Sequence, residues 1–266
     1  MNAALARATA EFGVSADTVP AHHGWRGQRW GIPVARGATL GWLKLSEQTR
    51  ALDIAGLWSG PTTAHGTLPP EVIRPALLDT VDWTSGDHYY RAELWQRLSP
   101  RCTTSSTTFL VAAPELDEAW WARLRASLDG LRTVTTTRRA IRQRYLNVAM
   151  RRQLPFAVST TVVQWSPAHA DLHWSNVTTP EFALVDWERW GLAPAGWDIA
   201  MLHVFSLLVT SVAQEIRQRF AEEFADPATV LAELGVIAWL LDTHSDEDIE
   251  ALAAAARLRA AELGAR

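Results

Sequence analysis

One cysteine, three methionines and no long apolar run mark what this sequence of 266 residues does without. The single thiol, Cys102, excludes an internal disulfide and a cysteine-built zinc site, and it suits a reducing compartment. The most apolar later stretches, residues 201–210 and 234–241, fall well short of the ~20 residues a membrane helix needs. Residues 1–14 mix Arg7 and Glu11 into a short amphipathic stretch and do not resemble a signal peptide. Neither sign of charge dominates, with 25 basic and 29 acidic residues giving a formal net charge of −4. Such a balance argues against a nucleic-acid binder that relies on general backbone attraction. No Gly-x-x-x-x-Gly-Lys-Ser/Thr run occurs, which disfavours a Walker-type nucleotide site. The expectation is a cytoplasmic protein without nucleic-acid or membrane partners.

What is present is ordinary in bulk and unusual in detail. The apolar fraction of 48% and charged fraction of 20% are those of a globular chain long enough for two lobes. Fourteen tryptophans supply large core residues. Residues 2–12 can form a short helix. Residues 18–47 break into short apolar runs at Gly24, Gly27, Gly31, Gly37 and Gly41, which predicts three antiparallel strands ending at residues 40–45. Residues 76–83 and 89–98 form a further hairpin around Thr84-Ser-Gly-Asp87. Beyond them the three- and four-residue apolar spacing predicts helices over residues 114–131, 137–153, 197–209, 211–224, 227–241 and 246–263. Residues 161–190 read as strand and loop. The fold class expected is α+β, with a strand-rich lobe over residues 1–98 and a helix-rich lobe over residues 99–266.

The densest chemistry lies inside the second lobe. His169-Ala-Asp171-Leu-His-Trp-Ser-Asn176 fits the pattern His-x-Asp-x-x-x-x-Asn, and Leu184-Val-Asp186-Trp follows it. A transferring phosphoryl group spreads negative charge over its oxygens, so catalysis is mostly positioning and neutralisation. Magnesium takes a few hard oxygen ligands from protein and the rest from phosphate and water. Asn176 and Asp186 supply such oxygens, Asp171 stands where a hydroxyl proton would be accepted, and His169 can organise the loop. Each residue alone would pass for an ordinary turn residue. His169 and His173 have the spacing of a zinc pair, but Ala170 stands where a metalloprotease needs Glu.

These segments, together with Gly196-Trp-Asp198-Ile-Ala200, resemble the aminoglycoside phosphotransferase-like branch of the protein-kinase-like fold. The resemblance implies a two-lobe fold with an antiparallel-sheet N-lobe and a mainly helical C-lobe, binding ATP between them. It implies Asp171 as catalytic base, Asn176 and Asp186 as magnesium ligands, and Lys44 as the lysine that contacts phosphate. Asp198 would support the catalytic loop. Ala170 stands where the branch usually has Gly, and Asp186-Trp-Glu188 replaces the Asp-Phe-Gly of protein kinases, which fits the small-molecule branch better.

The front lobe is less explicit. Gly24-Trp-Arg-Gly27 is either the turn over the phosphates or an ordinary strand turn, since it lacks Gly-x-Gly-x-x-Gly. Lys44 in Trp-Leu-Lys-Leu is either the phosphate lysine or a strand lysine reaching solvent. Its acidic partner is sought among Glu47, Asp53 and Glu71. Trp174, Trp187, Trp190 and Trp197 either line an acceptor pocket or pack beneath the loop. Glu188 reads as a surface carboxylate, a metal contact or a loop brace. Arg138, Arg139, Arg142, Arg144, Arg151 and Arg152 read either as a solvated helix face or as a basic patch that attracts an acidic acceptor or peptide. Glu215, Glu222, Glu223 and Asp226 form either an acidic patch for a polycation or a solvated helix end. The function expected is an ATP- and magnesium-dependent phosphotransferase acting on a small-molecule hydroxyl, with GTP as the alternative donor. Two rival expectations are a kinase acting on Ser or Thr of a peptide and a non-catalytic pseudokinase.

Overall fold

The computed structural model describes all residues except 17–21, 24–28, 50–54, 100, 105–106, 244–248 and 266, and of residues 22–23, 55–57 and 101 the backbone alone. The chain separates into two compact units, Met1–Thr67 with Arg74–Ser99, and Leu68–Ile73 with Pro100–Arg266.

The first unit is an antiparallel sheet covered on one face by helix α1 (Asn2–Phe12), which a left-handed Gly13 ends. Its strands are β1 (Ser15–Ala16), β2 (His22–His23), β3 (Arg29–Arg36), β4 (Thr39–Thr49), β5 (Leu77–Ser85) and β6 (His88–Gln96). They lie in the order β1-β3-β4-β6-β5, with β2 also pairing β3. Alternation decides which side chains go inward. Ile32, Val34, Leu43, Leu45, Ala92 and Leu94 pack with Ala4, Ala8 and Phe12 of α1. The opposite face carries Trp42, Lys44 and Ser46 across from Trp95, Glu93 and Arg91. Of the turns expected in this unit, those at Gly37 and Gly86 form with left-handed glycines, and the one at Gly24–Gly27 lies outside the described residues.

A helix with no legible signal lies between the hairpins. Helix α2 (Ala55–Thr67) contains Pro61 and three glycines, which lower intrinsic helix propensity. Arg91 tethers α2 to the sheet, donating to the Trp58 carbonyl and, at 3.1 Å, to Thr62 Oγ1.

The second unit is mainly helical: α3 (Glu118–Arg132), α4 (Gln143–Gln153), α5 (Trp197–Val204), α6 (Thr210–Arg219), α7 (Ala221–Ala225), α8 (Pro227–Thr243) and α9 (Glu250–Gly264). Asp117 caps α3, its carboxylate accepting from Trp120 N at 2.7 Å. Short strands β7 (Arg101–Cys102), β8 (Trp165–Ala168), β9 (Thr178–Thr179) and β10 (Gly191–Pro194) pair as β7–β9 and β8–β10. The helix expected over residues 137–153 begins only at Gln143. Residues 138–141 instead run alongside β10, with Ala140 N and Ile141 N both 3.1 Å from the Leu192 carbonyl. The helix expected over residues 211–224 is divided at Phe220 into α6 and α7.

One buried carboxylate holds four of these helices together. Glu233 on α8 lies 3.0 Å from His203 Nδ1 on α5, 3.4 Å from Arg217 Nη1 on α6 and 2.7 Å from Arg259 Nε on α9. Burial would raise its pKa, but the bonds from His203 and Arg259 hold it down at about 2.

Candidate active site

Strand β8 delivers the chain into a tight loop that the start of α5 clamps. Asp198 accepts backbone N–H bonds from both His169 and Ala170, each at 2.8 Å, one to each carboxylate oxygen. The geometry requires a left-handed backbone at Ala170, where φ is 62°. For a residue with a Cβ that conformation costs about 1–2 kcal/mol, which the clamp offsets. Burial pushes the Asp198 carboxyl up, while the His169 charge and the two N–H donors pull the other way.

His169 joins the two motif segments. Its Nε2 lies 2.8 Å from the Val185 carbonyl, and its ring sits edge-on to Trp187 at 4.6 Å. A carbonyl only accepts, so Nε2 carries the proton. Between the segments, a short 3-10 turn (Trp174–Asn176) leads into β9, and Val185 N donates to the Asn176 carbonyl at 3.0 Å. This pairing makes Asp186 a neighbour of Asn176. Asp186 itself has φ 65°, a left-handed position that Asp tolerates better than most residues.

The amide of Asn176 is oriented by what its nitrogen does. Nδ2 donates to the Asp171 carbonyl at 2.9 Å and lies 3.4 Å from Asp171 Oδ2. The amide oxygen accepts from no described residue and is available to a hard cation. His173 Nε2 stands 3.7 Å from Asp171 Oδ1, and Ser175 Oγ lies 2.9 Å from His173 Nδ1. Asp171 therefore lies in a polar setting and keeps its carboxylate partly solvent-accessible. Asn176 and Asp186 each carry hard oxygens of the kind magnesium accepts. Among the described residues no group of three His, Cys, Asp or Glu side chains gathers to hold a metal.

Supporting residues that the sequence left undetermined now have definite places. Arg138, expected on a solvated helix face, donates to the carbonyls of Glu188 and, at 2.6 Å, Trp190, and so grips the loop after Asp186. Gly191 fits beneath this strap because a Cβ there would meet the Arg138 carbonyl at 2.7 Å. Glu188 is buried and is not a surface carboxylate. Trp174, Trp187, Trp190 and Trp197 are all fully buried, which supports packing beneath the loop over lining an open pocket. Trp174 stacks on Trp120 at 6.1 Å and donates to Ser206 Oγ at 2.8 Å. Burial, followed by the Asp186 charge, pushes the Cys102 thiol up.

Much of the acidic group is matched internally. Glu215 pairs with Arg219 at 2.9 Å and Glu223 with Arg125 at 2.9 Å, while Asp226 accepts from Ala228 N at 2.8 Å. In the first unit, Lys44 is half-buried on β4, directly across from Glu93. Of the partners considered for it, Glu47 bonds Tyr90 on the other face of the strand, at 2.8 Å. Asp53 lies outside the described residues, as do Gly24 and Gly27. Glu71 belongs to the second unit, where its carbonyl accepts from Ser127 at 3.1 Å.

No family model matches the chain, and no curated protein matches it in sequence. Solved structures do. Aminoglycoside phosphotransferase APH(4)-Ia superimposes with a TM-score of 0.66 over 100% of this chain and 99% of its own, at 11% identity. A thermostable mutant of that enzyme, crystallised with AMP-PNP and hygromycin B, gives 0.66 over 98% of both chains at 12% identity. Spectinomycin phosphotransferase APH(9)-Ia, crystallised with ADP and spectinomycin, gives 0.53 over 95% of this chain and 90% of its own, at 14% identity. At such identities the likeness is one of fold, and the chain is built on the fold of the aminoglycoside phosphotransferases.

Proposed function

We propose that the protein is a phosphotransferase that moves the γ-phosphoryl group of ATP to a hydroxyl of a small molecule. The observation that carries this reading is the coupling of two sequence segments into one site. Asp198 clamps the loop that bears Asp171, His169 ties that loop to Val185, and Asn176 is bonded to Asp171 while its oxygen is left to accept. The related folds crystallised with AMP-PNP or ADP and with hygromycin B or spectinomycin add support for a nucleotide donor and a small acceptor.

In this reading the residues over 1–98 form the nucleotide-binding lobe and those over 99–266 the catalytic and substrate lobe. Asp171 accepts the acceptor's hydroxyl proton as the new P–O bond forms and the bond to ADP breaks. Asn176 and Asp186 hold Mg2+, whose charge neutralises the phosphate oxygens. Lys44 steadies the nucleotide phosphates, with Gly24 and Gly27 as the turn above them. His169 and Asp198 keep the loop in shape. GTP is the alternative donor, and the setting of the reaction is the cytoplasm.

The internal matching of Glu215 and Glu223 by arginines argues against a dedicated polycation pocket at those residues, so antibiotic resistance is not the default role. The test is thermal stability of wild type and Asp186→Ala with and without ATP and Mg2+. A nucleotide-dependent rise in wild type that the variant loses supports the site. A flat wild-type response at millimolar ATP contradicts it.

A further inference from the structure

We propose that Glu93 is the acidic partner that positions Lys44, an inference that rests on the kinase reading above. In protein kinases the phosphate lysine is held by a glutamate on the helix that follows its strand. Here the corresponding helix, α2, reads Ala-Gly-Leu-Trp-Ser-Gly-Pro-Thr-Thr-Ala-His-Gly-Thr and contains no acid at all. The acid must come from elsewhere.

Strand register supplies it. Lys44 and Glu93 are direct cross-strand partners in the β4–β6 ladder. Directly opposed residues share a face, with Cβ atoms about 4.5–5.5 Å apart, well within reach of a lysine and a glutamate. Glu47, three residues on, points to the other face and bonds Tyr90.

Burial gives the pairing its force. Glu93 is 4% exposed, and a carboxylate at that depth requires compensation. Its Oε2 accepts from the Trp95 indole N–H at 3.1 Å, and Arg91 Nε lies 3.5 Å from Oε1. Arg91, however, is shared: its Nε is also 3.5 Å from Asp82, and its other nitrogens serve Trp58 and Thr62 of α2. The strand register thus sets Lys44 directly against Glu93 and Asp82 against Arg91, while Arg29 on this face stands one strand further off, across from Ser46. Arg91 in turn links the carboxylate to α2, so the helix acts on the lysine through the sheet.

A double-mutant cycle on Mg·ATP affinity tests the assignment, with adenosine affinity and melting temperature as controls. Lys44→Met and Glu93→Gln should each weaken Mg·ATP binding by roughly ten-fold. The double variant should bind no worse than Lys44→Met, because Glu93 acts through the lysine. Adenosine binding, which involves no phosphate, should be unchanged in all three. Should Glu93→Gln fold poorly, Glu93→Asp replaces it; the shorter acid should give a smaller loss that is again absent beside Lys44→Met. Wild-type Mg·ATP affinity in the Glu93 variants, losses that multiply in the double variant, or an equal loss of adenosine binding would overturn the inference. Failure of wild type to bind ATP would instead overturn the kinase reading on which it rests.

Discussion

The two units hold their candidate site residues in opposite ways. In the helical unit, Asp171, Asn176 and Asp186 are held by residues within or just beyond the same stretch of chain, through short bonds among His169, Ala170, Val185 and Asp198. In the sheet unit, Lys44 is placed by strand register, and the acid opposite it lies 49 positions later, at Glu93. The contrast teaches where sequence motifs reveal chemistry. A site built from contiguous loops prints its spacing in the sequence, whereas one built across a ladder does not.

Substitutions can break or sharpen this contrast, and the largest effects should fall in the helical unit. Asp186→Ala should lower Mg·ATP affinity by on the order of 100-fold or more, measured by calorimetry, because one of only two proposed protein ligands to the cation is lost. Glu233→Ala should destabilise the helical unit by about 3–5 kcal/mol in chemical denaturation, since it strands buried His203 and Arg259. The same carboxylate predicts acid sensitivity. Its folded pKa of about 2 lies below the ordinary 4.5, so its stabilisation is complete above that value and is lost as pH falls from about 4.5 towards about 2. Melting curves across this range should show the loss in wild type and a shallower one in Glu233→Gln.

Smaller effects should come from the backbone in and beside the loop that bears Asp171. Gly196 precedes α5 with φ 83°, and a Cβ there would collide with Thr229. Gly196→Ala should cost about 1–3 kcal/mol and reduce activity by shifting Asp198. Ala170→Gly should be nearly neutral or stabilising by up to about 1 kcal/mol with activity kept, because relief of the left-handed Ala roughly offsets the added chain entropy.

Much of the fold was legible because its signals are local. The α1 helix, the hairpin at Gly86 and the helices from α3 onward follow from apolar period and turn residues, apart from the start of α4 and the break between α6 and α7. Helix α2 was not legible, since Gly56, Gly60, Pro61 and Gly66 argue against a helix that tethering through Arg91 helps hold in place. Residues 138–141 carried a helical period but pair with β10, because Arg138 finds the Glu188 and Trp190 carbonyls there. The clamp by Asp198 was expected as support, but its donors, two successive backbone amides, depend on the Ala170 conformation and leave no mark in the sequence. Glu93 was missed for a similar reason, as a buried acid in an apolar strand declares no partner until the register is known.

The most direct test follows the γ-phosphoryl group itself. Phosphorus NMR of ATP and Mg2+ incubated with the protein and a panel of hydroxyl-bearing small molecules should show a new phosphate ester with wild type. With Asp171→Ala the rate should fall by about 10²–10⁴-fold while Mg·ATP binding persists. Transfer at the wild-type rate by Asp171→Ala would contradict the account.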